Sequence, residues 1–513
     1  MNIETFLGHH GVTVNPFAAE EASLDPVFDR MIDGPPMHPD FTKILGRVDR
    51  PSGAVVFGEK GSGKTAIRLM IERHVARHNV ERDSGRVMQV AYDDLNPVLD
   101  RLTRRFRGDE QAMLDHLGLA DHQDAILSVA VTQLVDGLLR PEDGPNGRMP
   151  LPKDAWQRLR KMSRDERVDL LVLASWYDQP VNGGVVSRWQ LLKKRLRVGW
   201  RLPHQALLQA ALLLLIVAGI LAVVLGLELG TSVFLVPACG LSFAGGLGLL
   251  GWWGWQRWSL WRLCVGIRRE LRPVERGVDE SMAMLGRLRS MDVRRQPLGR
   301  GAHQDETGPK AADDSRYRLT QRLLKVLKVL GYDGMMVLMD RVDEPTIISG
   351  NPARMRPLVW PLFDNKFFQQ PGVGVKLLLP IELRHALFKE SPAFFQEARL
   401  DKQSLIDRLS WSGATLYDLL SSRLRACRND RSSDFYLAYL FAEDVNNAHI
   451  VDALDQMHQP RDALKFIYNV VLEHCKLVPE DQENFKIARL TLDNVRQRQA
   501  QRVQDLYRGL SPG

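Results

Sequence analysis

Cysteine is scarce in this chain, with four residues among 513. So few and so scattered thiols exclude a disulfide-stapled fold, and no C-x-x-C or Cys/His spacing indicates a zinc site. We expect all four to be reduced and buried. The chain also lacks an internal repeat or a sustained heptad, which argues against solenoids and coiled coils. The cysteines are Cys239, Cys264, Cys427 and Cys475.

The amino terminus lacks the features of a secretory signal. Met1 to Val14 has neither a basic n-region nor an apolar h-region, so we expect no cleaved signal peptide. A content of 44% hydrophobic and 26% charged residues excludes a wholly disordered or collagenous protein. A length of 513 residues exceeds what one core usually holds, which predicts two or three domains.

Charge is almost missing from one long segment. From Gln205 to Gln256 the only charged residue is Glu228. The run predicts two membrane helices of roughly 33 Å, Ala206 to Leu227 and Ser232 to Trp255, joined by a turn at 228–231. We therefore expect residues 206–255 to contact the lipid bilayer. The alternative is a hydrophobic hairpin inside a globular domain, although soluble helices keep a polar stripe.

Small residues recur at four-residue spacing in both predicted spans. Such residues let two helix backbones approach closely, so they predict a packed hairpin. The first span carries Ala218, Ala222 and Gly226, and the second carries Gly240, Ala244 and Gly248.

Basic residues flank this apolar segment on both sides. Short loops rich in Lys and Arg stay in the cytoplasm, and tryptophans mark the same interface. The pattern predicts a two-pass protein of a bacterial-type inner (plasma) membrane with both termini cytoplasmic. It also accounts for the net charge of +7, which is then weak evidence for nucleic acid. The flanks contain Arg188, Lys193, Lys194, Arg195, Arg197 and Arg201, then Arg257, Arg262, Arg268, Arg269, Arg272 and Arg276 against Glu270 and Glu275; the tryptophans are Trp200, Trp252, Trp253, Trp255, Trp258 and Trp261.

A glycine-rich motif follows a short apolar run near the amino terminus. The segment 54–57 predicts a strand, the motif has the form G-x-x-x-x-G-K-T, and a helical pattern follows from Ala66 to Val75. Backbone N–H groups of such a loop wrap phosphates at a helix amino terminus. The alternative is a turn of structural value only. The predicted nucleotide-binding residues are Gly58, Glu59, Lys60, Gly61, Ser62, Gly63, Lys64 and Thr65, with Lys64 on the β- and γ-phosphates and Thr65 on Mg²⁺.

An acidic strand end lies far downstream. Met335 to Met339 is apolar and is followed by Asp340, Asp343 and Glu344. Asp340 at the end of this predicted strand is placed to hold Mg²⁺ with Thr65. Asp343 or Glu344 would then orient or deprotonate the attacking water. The alternative is that these acids form a helix N-cap cluster.

These two motifs resemble those of a known ATPase class. The loop 58–65 together with the D-x-hydrophobic-D-E run 340–344 is similar to P-loop ATPases of the STAND class, as in NACHT domains. A membrane hairpin between the motifs, with both ends cytoplasmic, is similar to the arrangement in KAP-family NTPases, whose acidic motif usually has a D-D-h-D-R-like form. The resemblance implies ATP and Mg²⁺ as cofactors.

Three further positions carry weaker expectations. Arg384 follows a predicted strand at Val373 to Leu379 and would sense the γ-phosphate, or is a surface arginine. Arg461 follows Pro460 and resembles the helical-lid arginine of AAA+ and STAND proteins; the alternative is a charge at a helix start. Asn15-Pro16-Phe17 resembles the segment that covers adenine in such ATPases. A second strand is predicted at 87–91. We expect the acids that follow it to be helix caps rather than ligands.

The predicted fold is an α/β P-loop parallel sheet, interrupted by the membrane hairpin and closed by a helical carboxy-terminal lid. The helical pattern dominates from Leu405 to the end, and one helix is expected around Leu260 to Ser290. The predicted parts are 1–105 with the glycine-rich motif, 106–200 helical and basic, 201–258 the hairpin, 259–315 a juxtamembrane helix and linker, 316–400 with the acidic motif, and 401–513 the lid.

The sequence is compatible with three functions. The first is a membrane-anchored ATPase that hydrolyses ATP with Mg²⁺ as a regulatory switch for a protein effector, with homo-oligomerisation possible. The second is an AAA+/origin-recognition-like ATPase on DNA, although no winged-helix pattern is evident. The third is a nucleotide-binding scaffold without turnover.

Overall fold

The computed structural model describes most of the chain. The residues described are 1–19, 21–34, 37–139, 149–181, 183–199, 204–226, 235–294, 297–298, 309–400, 403–430, 434–479 and 482–507. They form two units, one of residues 1–95 with 334–513 and one of residues 96–333. The predicted turn at 228–231, Trp200, Arg201 and most of the predicted linker lie outside the described residues.

The first unit is built on a five-stranded, all-parallel sheet. The strands are β1 Ala54–Gly58, β2 Arg86–Tyr92, β3 Tyr332–Met339, β4 Val373–Pro380 and β5 Ser404–Ile406. Their order is β2-β3-β4-β1-β5. This confirms the α/β class and four predicted strands. Because the strands are parallel, the segments that follow β1, β3, β4 and β5 collect at one edge of the sheet.

Helices precede, separate and follow the strands. Before residue 96 they are α1 Ile3–His9, α2 Pro26–Met31, α3 Phe41–Leu45 and α4 Lys64–Val80. The second unit contains α5 Asn96–Arg105, α6 Glu110–Asp115, α7 Leu119–Leu139, α8 Ala155–Lys161, α9 Arg164–Tyr177, α10 Val185–Arg195, α11 His204–Gly226, α12 Leu235–Glu270, α13 Val278–Leu285, α14 Ser290–Arg294 and α15 Pro309–Val329. Then follow α16 Pro352–Val359, α17 Asn365–Phe368, α18 Ile381–Leu387, α19 Pro392–Ala398, α20 Gly413–Ala426, α21 Asn447–Asp455, α22 Pro460–Leu477 and α23 Arg489–Tyr507.

The first unit holds two apolar clusters. One covers a face of the sheet, where Ile67 and Ile71 of α4 pack with Val56 of β1. The other joins the carboxy-terminal helices to the amino terminus, because Phe6 and Phe17 pack with residues of α20 to α22. The amino-terminal segment is therefore part of the helical layer.

Strand β5 was not expected from the sequence. Its three residues, Ser404–Ile406, pair in parallel with β1 at Ala54 to Val56. The prediction that helical periodicity dominates from Leu405 is wrong at its start, and helix begins only at Gly413. A strand of three residues is too short for an alternating pattern to show.

Two helices of the second unit are long and apolar enough to cross a membrane. They contain Leu207–Leu225, with mean hydropathy 2.9, and Val236–Glu270, with mean hydropathy 1.2. Only 11% and 6% of these segments is buried within the protein, unlike the core helix of a soluble domain. They pack against each other.

The contact between α11 and α12 uses other small residues than expected. Gly246 is buried against Ala211 and Leu215, where an added Cβ would lie 2.8 Å from Leu215 and 3.2 Å from the Ala211 carbonyl oxygen. Of the predicted residues whose burial is described, only Ala218 is buried. Gly240 and Gly248 meet no neighbouring atom, so the predicted stripe on α12 is wrong. Since nearly every residue of both helices is apolar, spacing alone does not select the face.

Helix α12 is also longer than the predicted second span. It continues to Glu270 and ends before Pro273, and α13 begins only at Val278. The single helix predicted around 260–290 is therefore interrupted. Proline has no N–H for the helix and clashes with the preceding turn, which explains the break.

Candidate functional site

The loop between β1 and α4 has the backbone of an anion cradle. Gly61 and Gly63 have φ values of +97° and +95°, which glycine adopts at little cost. Helix α4 begins at Lys64, and no side chain caps its first turn. An added Cβ at Gly61 would lie 2.9 Å from Gln459 Oε1 and 3.0 Å from Arg461 Cβ. The N–H groups at this helix start are thus left for an anion.

Lys64 is folded back onto the loop that precedes it. Its Nζ donates to the carbonyl oxygens of Gly58 at 2.8 Å and Glu59 at 3.0 Å. Burial lowers the pKa of Lys64, while the charges of Asp343, Asp340 and Glu382 raise it. The sheet edge therefore surrounds this ammonium with carboxylates from two other strand ends.

Thr65 and Asp340 meet directly. The Thr65 hydroxyl donates to Asp340 Oδ2 at 2.8 Å. Asp340 is only 1% exposed, and burial raises the pKa of its carboxyl group although the Thr65 hydrogen bond opposes this. A hydroxyl and a carboxylate in contact are the two protein ligands that Mg²⁺ takes beside a nucleotide.

Arg68 is a site residue that sequence reasoning missed. Its Nε lies 3.6 Å from Asp340 Oδ2, and its Nη1 lies 2.6 Å from Glu72 and 3.1 Å from Asp93. The side chain is buried, at 7% exposure. Asp93, expected to be a cap, is instead part of this ion-pair cluster. The available signal was an arginine one turn after Lys64 on a helix that faces the sheet.

Asp343 and Glu344 lie in the turn after β3. Arg341 begins this turn with φ of +59°, and its guanidinium lies 3.7 Å from Glu344. The Glu344 side chain is 58% exposed, whereas Asp343 is the first of the carboxylates that raise the pKa of Lys64. The helix-cap alternative is not observed, because Asn351 caps the next helix, α16.

Arg461 reaches the loop from the start of α22. Its backbone N–H donates to the Gly61 carbonyl at 3.5 Å, and its charge lowers the pKa of Lys64. Arg461 Nε is buried without a hydrogen-bond partner among the described residues, and so is Ser62 Oγ. Gln459, two residues earlier, donates from its side chain to Glu59.

Two further residues hold the loop from the segment after β5. Arg408 forms an ion pair of 2.6 Å with Glu59, and the Trp411 indole donates to the Ser62 carbonyl at 2.8 Å. Neither was expected, since both depend on the unrecognised β5. Together with Gln459 and Arg461, they tie the cradle to the carboxy-terminal region.

Arg384 lies on α18, after β4, as expected for the sheet edge. Its guanidinium is 4.0 Å from Asp407 and 4.8 Å from the Phe388 ring centroid. The α18 residue whose charge acts on Lys64 is Glu382. The structure thus pairs Arg384 with Asp407 at this edge.

A cavity of about 410 Å³ opens beside Arg461. Phe17, Leu464 and Tyr468 form its apolar part, and Lys465 adds a charge. The segment 15–17 is fixed because Arg423 donates to the Pro16 carbonyl at 2.7 Å. Of the three residues expected to cover a base, Phe17 therefore lines a cavity that also contains Arg461.

The cradle fits a triphosphate with Mg²⁺ better than a metal alone. Among the described residues no three His, Cys, Asp or Glu side chains cluster as a metal cage. Thr65 and Asp340 would hold the ion only together with phosphate oxygens and water, which is the usual mode for Mg²⁺. Among the described residues, Ser62 Oγ and Arg461 Nε are buried polar atoms of this region that have no hydrogen-bond partner.

Comparisons with protein-family models, with curated proteins and with solved structures gave no match.

Proposed function

We propose that this protein is a membrane-anchored P-loop ATPase of the STAND/KAP type that works as a nucleotide-controlled switch. The observation that supports it most is the 2.8 Å hydrogen bond between Thr65 and Asp340, with Lys64 folded into the adjacent loop. Residues from two distant motifs thus form one potential Mg²⁺ and phosphate site at the carboxyl edge of a parallel sheet.

The residues would divide the work as follows. Backbone N–H groups of the loop 58–65 bind phosphate oxygens, and Lys64 exchanges its contacts with Gly58 and Glu59 for the β- and γ-phosphates. Thr65 and Asp340 hold the metal. ATP with Mg²⁺ supplies the reactive phosphoanhydride, its charge neutralised by the metal. Asp343 or Glu344 orients the water or takes its proton, and Arg461 and Arg384 are the candidate cations for the γ-phosphate.

The proposed switch follows from what holds the loop. Glu59 and Ser62 are bound by Arg408, Gln459 and Trp411, which precede or begin the carboxy-terminal helices. Phosphate binding at this loop competes with or reorganises those contacts. Nucleotide state would then bias the packing of α20 to α23, which a protein effector or a second copy of the chain could recognise.

The proposed anchor consists of α11 and α12. Both are long and apolar enough to cross a bilayer. Trp252, Trp255, Trp258 and Trp261 are all exposed along the later part of α12, as in an interfacial aromatic belt. We place the protein in an inner (plasma) membrane with both termini cytoplasmic.

Phosphate release from the purified full chain tests the proposal. Lys64→Ala should abolish Mg²⁺-dependent ATP turnover and weaken ATP binding at least tenfold, because a charged hydrogen-bond donor is lost. Lys389→Ala, at an exposed position, is the matched control. Equal turnover and equal ATP affinity in both variants would refute the assignment.

The second candidate function is a nucleotide-binding scaffold without turnover. The observation that favours it is Glu344, which is more than half exposed and beside Arg341. Stoichiometric ATP binding with no phosphate release from the wild-type chain would select this alternative.

A further inference from the structure

A second basic site lies in the unit of residues 96–333, apart from the residues of the P-loop. It is a cavity of about 370 Å³ formed by the end of α5, the end of α12 and the segment that follows α12. Glu275 is the only acid among the described residues of its lining. The cationic lining residues are Arg101, Arg104, Arg105, Arg268, Arg272 and Arg276.

Half of these arginines already have a carboxylate. Arg272 lies 2.5 Å from Asp121, Arg276 lies 3.8 Å from Glu280, and Arg104 lies 3.6 Å from Glu275. The Arg104–Glu275 pair is weak, since both side chains are about two-thirds exposed.

The other three arginines have no carboxylate at ion-pair distance within the described part of the chain. Arg101 donates only to the Pro273 carbonyl, at 3.3 Å. Arg105 and Arg268 make no ion pair, and their charges repel each other: burial and then the charge of Arg268 lower the pKa of Arg105. Three guanidinium groups without an ion pair thus line one cavity, and the nearest acid, Glu275, raises the pKa of Arg101 and Arg105 only against the larger effect of burial and is already paired with Arg104. A bound anion would relieve this repulsion.

The chemistry of the lining selects the kind of anion. Guanidinium groups bind phosphate oxygens in a bidentate manner, and clustered arginines favour ligands with more than one phosphate. A concave site of this volume fits a small molecule better than a polymer.

The position of the cavity bears on where the anion comes from. Arg268 follows Trp261 by seven residues on the continuous helix α12, which places it roughly 10 Å farther along the axis. The headgroup layer is only about 5–8 Å thick on each side. A soluble anion therefore reaches the site more directly than a lipid headgroup does.

We propose that this cavity binds a small anion carrying clustered phosphate groups, through residues other than those of the triphosphate cradle. Because no P-loop residue takes part, binding here does not depend on the proposed ATPase activity.

Calorimetric titration of the full chain with myo-inositol hexakisphosphate tests this, with the chain in nanodiscs of phosphatidylcholine alone. The double variant Arg105→Gln/Arg268→Gln should lose at least tenfold in affinity. The matched control Arg289→Gln/Arg318→Gln removes the same charge from exposed positions of the same unit and should lose less than twofold. Lys64→Ala should bind the probe as the wild type does.

A second series of nanodiscs distinguishes the sources of the phosphate groups. Inclusion of phosphatidylinositol 4,5-bisphosphate should leave probe affinity unchanged if the ligand is soluble. If the lipid instead competes with the probe in the wild type but not in the Arg105/Arg268 double variant, the binding site is confirmed and its ligand is a lipid headgroup. Absence of probe binding, or equal losses in the two double variants, would overturn the proposal.

Discussion

The hydroxyl of Thr65 lies 2.8 Å from the carboxylate of Asp340, although 275 positions separate the two residues. The pair stands at one edge of the sheet because β1 and β3 both flank β4 in parallel. This contact joins the glycine-rich motif to the acidic motif, so its removal gives the most direct tests of the site.

Asp340→Asn should weaken Mg²⁺-dependent ATP binding at least tenfold, because the neutral amide is a poor metal ligand. Binding measured with EDTA should change little, since the phosphate cradle is intact. Calorimetry with and without Mg²⁺ separates the two effects. An equal loss under both conditions would show that Asp340 supports the loop rather than the metal.

The roles of Asp343 and Glu344 can be separated by single variants. We expect Glu344→Gln to retain ATP and to lose turnover by two orders of magnitude or more, as for removal of a general base. Asp343→Asn should instead alter ATP affinity, since Asp343 acts on the pKa of Lys64. Single-turnover phosphate release measures both. If only Asp343→Asn binds ATP without hydrolysing it, then Asp343 rather than Glu344 is the general base.

The cavity beside Arg461 is expected to take the base. Tyr468→Ala should weaken ATP binding about tenfold, because an aromatic stack on a base contributes about 1–3 kcal/mol. Tripolyphosphate, which has no base, should bind both proteins equally. Tyr436→Ala, at an exposed position, is the control. Equal losses for ATP and tripolyphosphate would place the base elsewhere.

Much of the sheet could be predicted because its strands are continuous apolar runs, typical of parallel strands buried on both faces. The glycines after β1 and the acid after β3 then fix the edge at which Lys64 and Asp340 meet. Arg408 and Trp411 could not be assigned to the site, since their approach depends on β5, whose three residues show no period.

The hairpin shows a different limit of sequence reasoning. Length and lack of charge predict both long helices, but Gly246 rather than Gly248 packs on α11. A helix that is apolar all round has no polar face to define its orientation. Only the side-chain fit against Leu215 selects the contacting face.

Lys376 should make the stability of the protein depend on pH. It is fully buried in β4, has no hydrogen-bond partner among the described residues, and burial lowers the pKa of its ammonium group from 10.5 to about 8. Below pH 8 both folded and unfolded states are protonated, and the folded state carries the whole penalty, about 3 kcal/mol. Between pH 8 and 10.5 the unfolded state binds more protons, so the free energy of unfolding should rise with pH.

Lys376→Met should therefore stabilise the protein at pH 7 and remove most of this rise, as measured by denaturant titration at pH 7 to 10.5. Lys389→Met at an exposed position should leave both unchanged. If the free energy of unfolding of the wild type does not change over this pH range, the charge of Lys376 is compensated by another group in the folded protein.

The Thr65–Asp340 contact also constrains membrane topology. The hairpin lies between these residues in the chain, and a hydrogen bond of 2.8 Å requires both to be on the same side of the membrane. If the chain is membrane-anchored as proposed, it must then cross an even number of times. Helices α11 and α12 are the candidate spans among the described residues, so two crossings satisfy the condition and one does not.

Cysteine labelling tests this arrangement in a background that lacks the four native cysteines. A single cysteine at Gly230, in the predicted turn, should react with an impermeant reagent added to spheroplasts. One at Asp305, in the predicted linker, should react only after lysis, because the arginine-rich flanks keep that side in the cytoplasm. Both positions lie outside the described residues. The reverse labelling pattern would show that the topology is inverted. Extraction of the protein by carbonate would refute the membrane anchor.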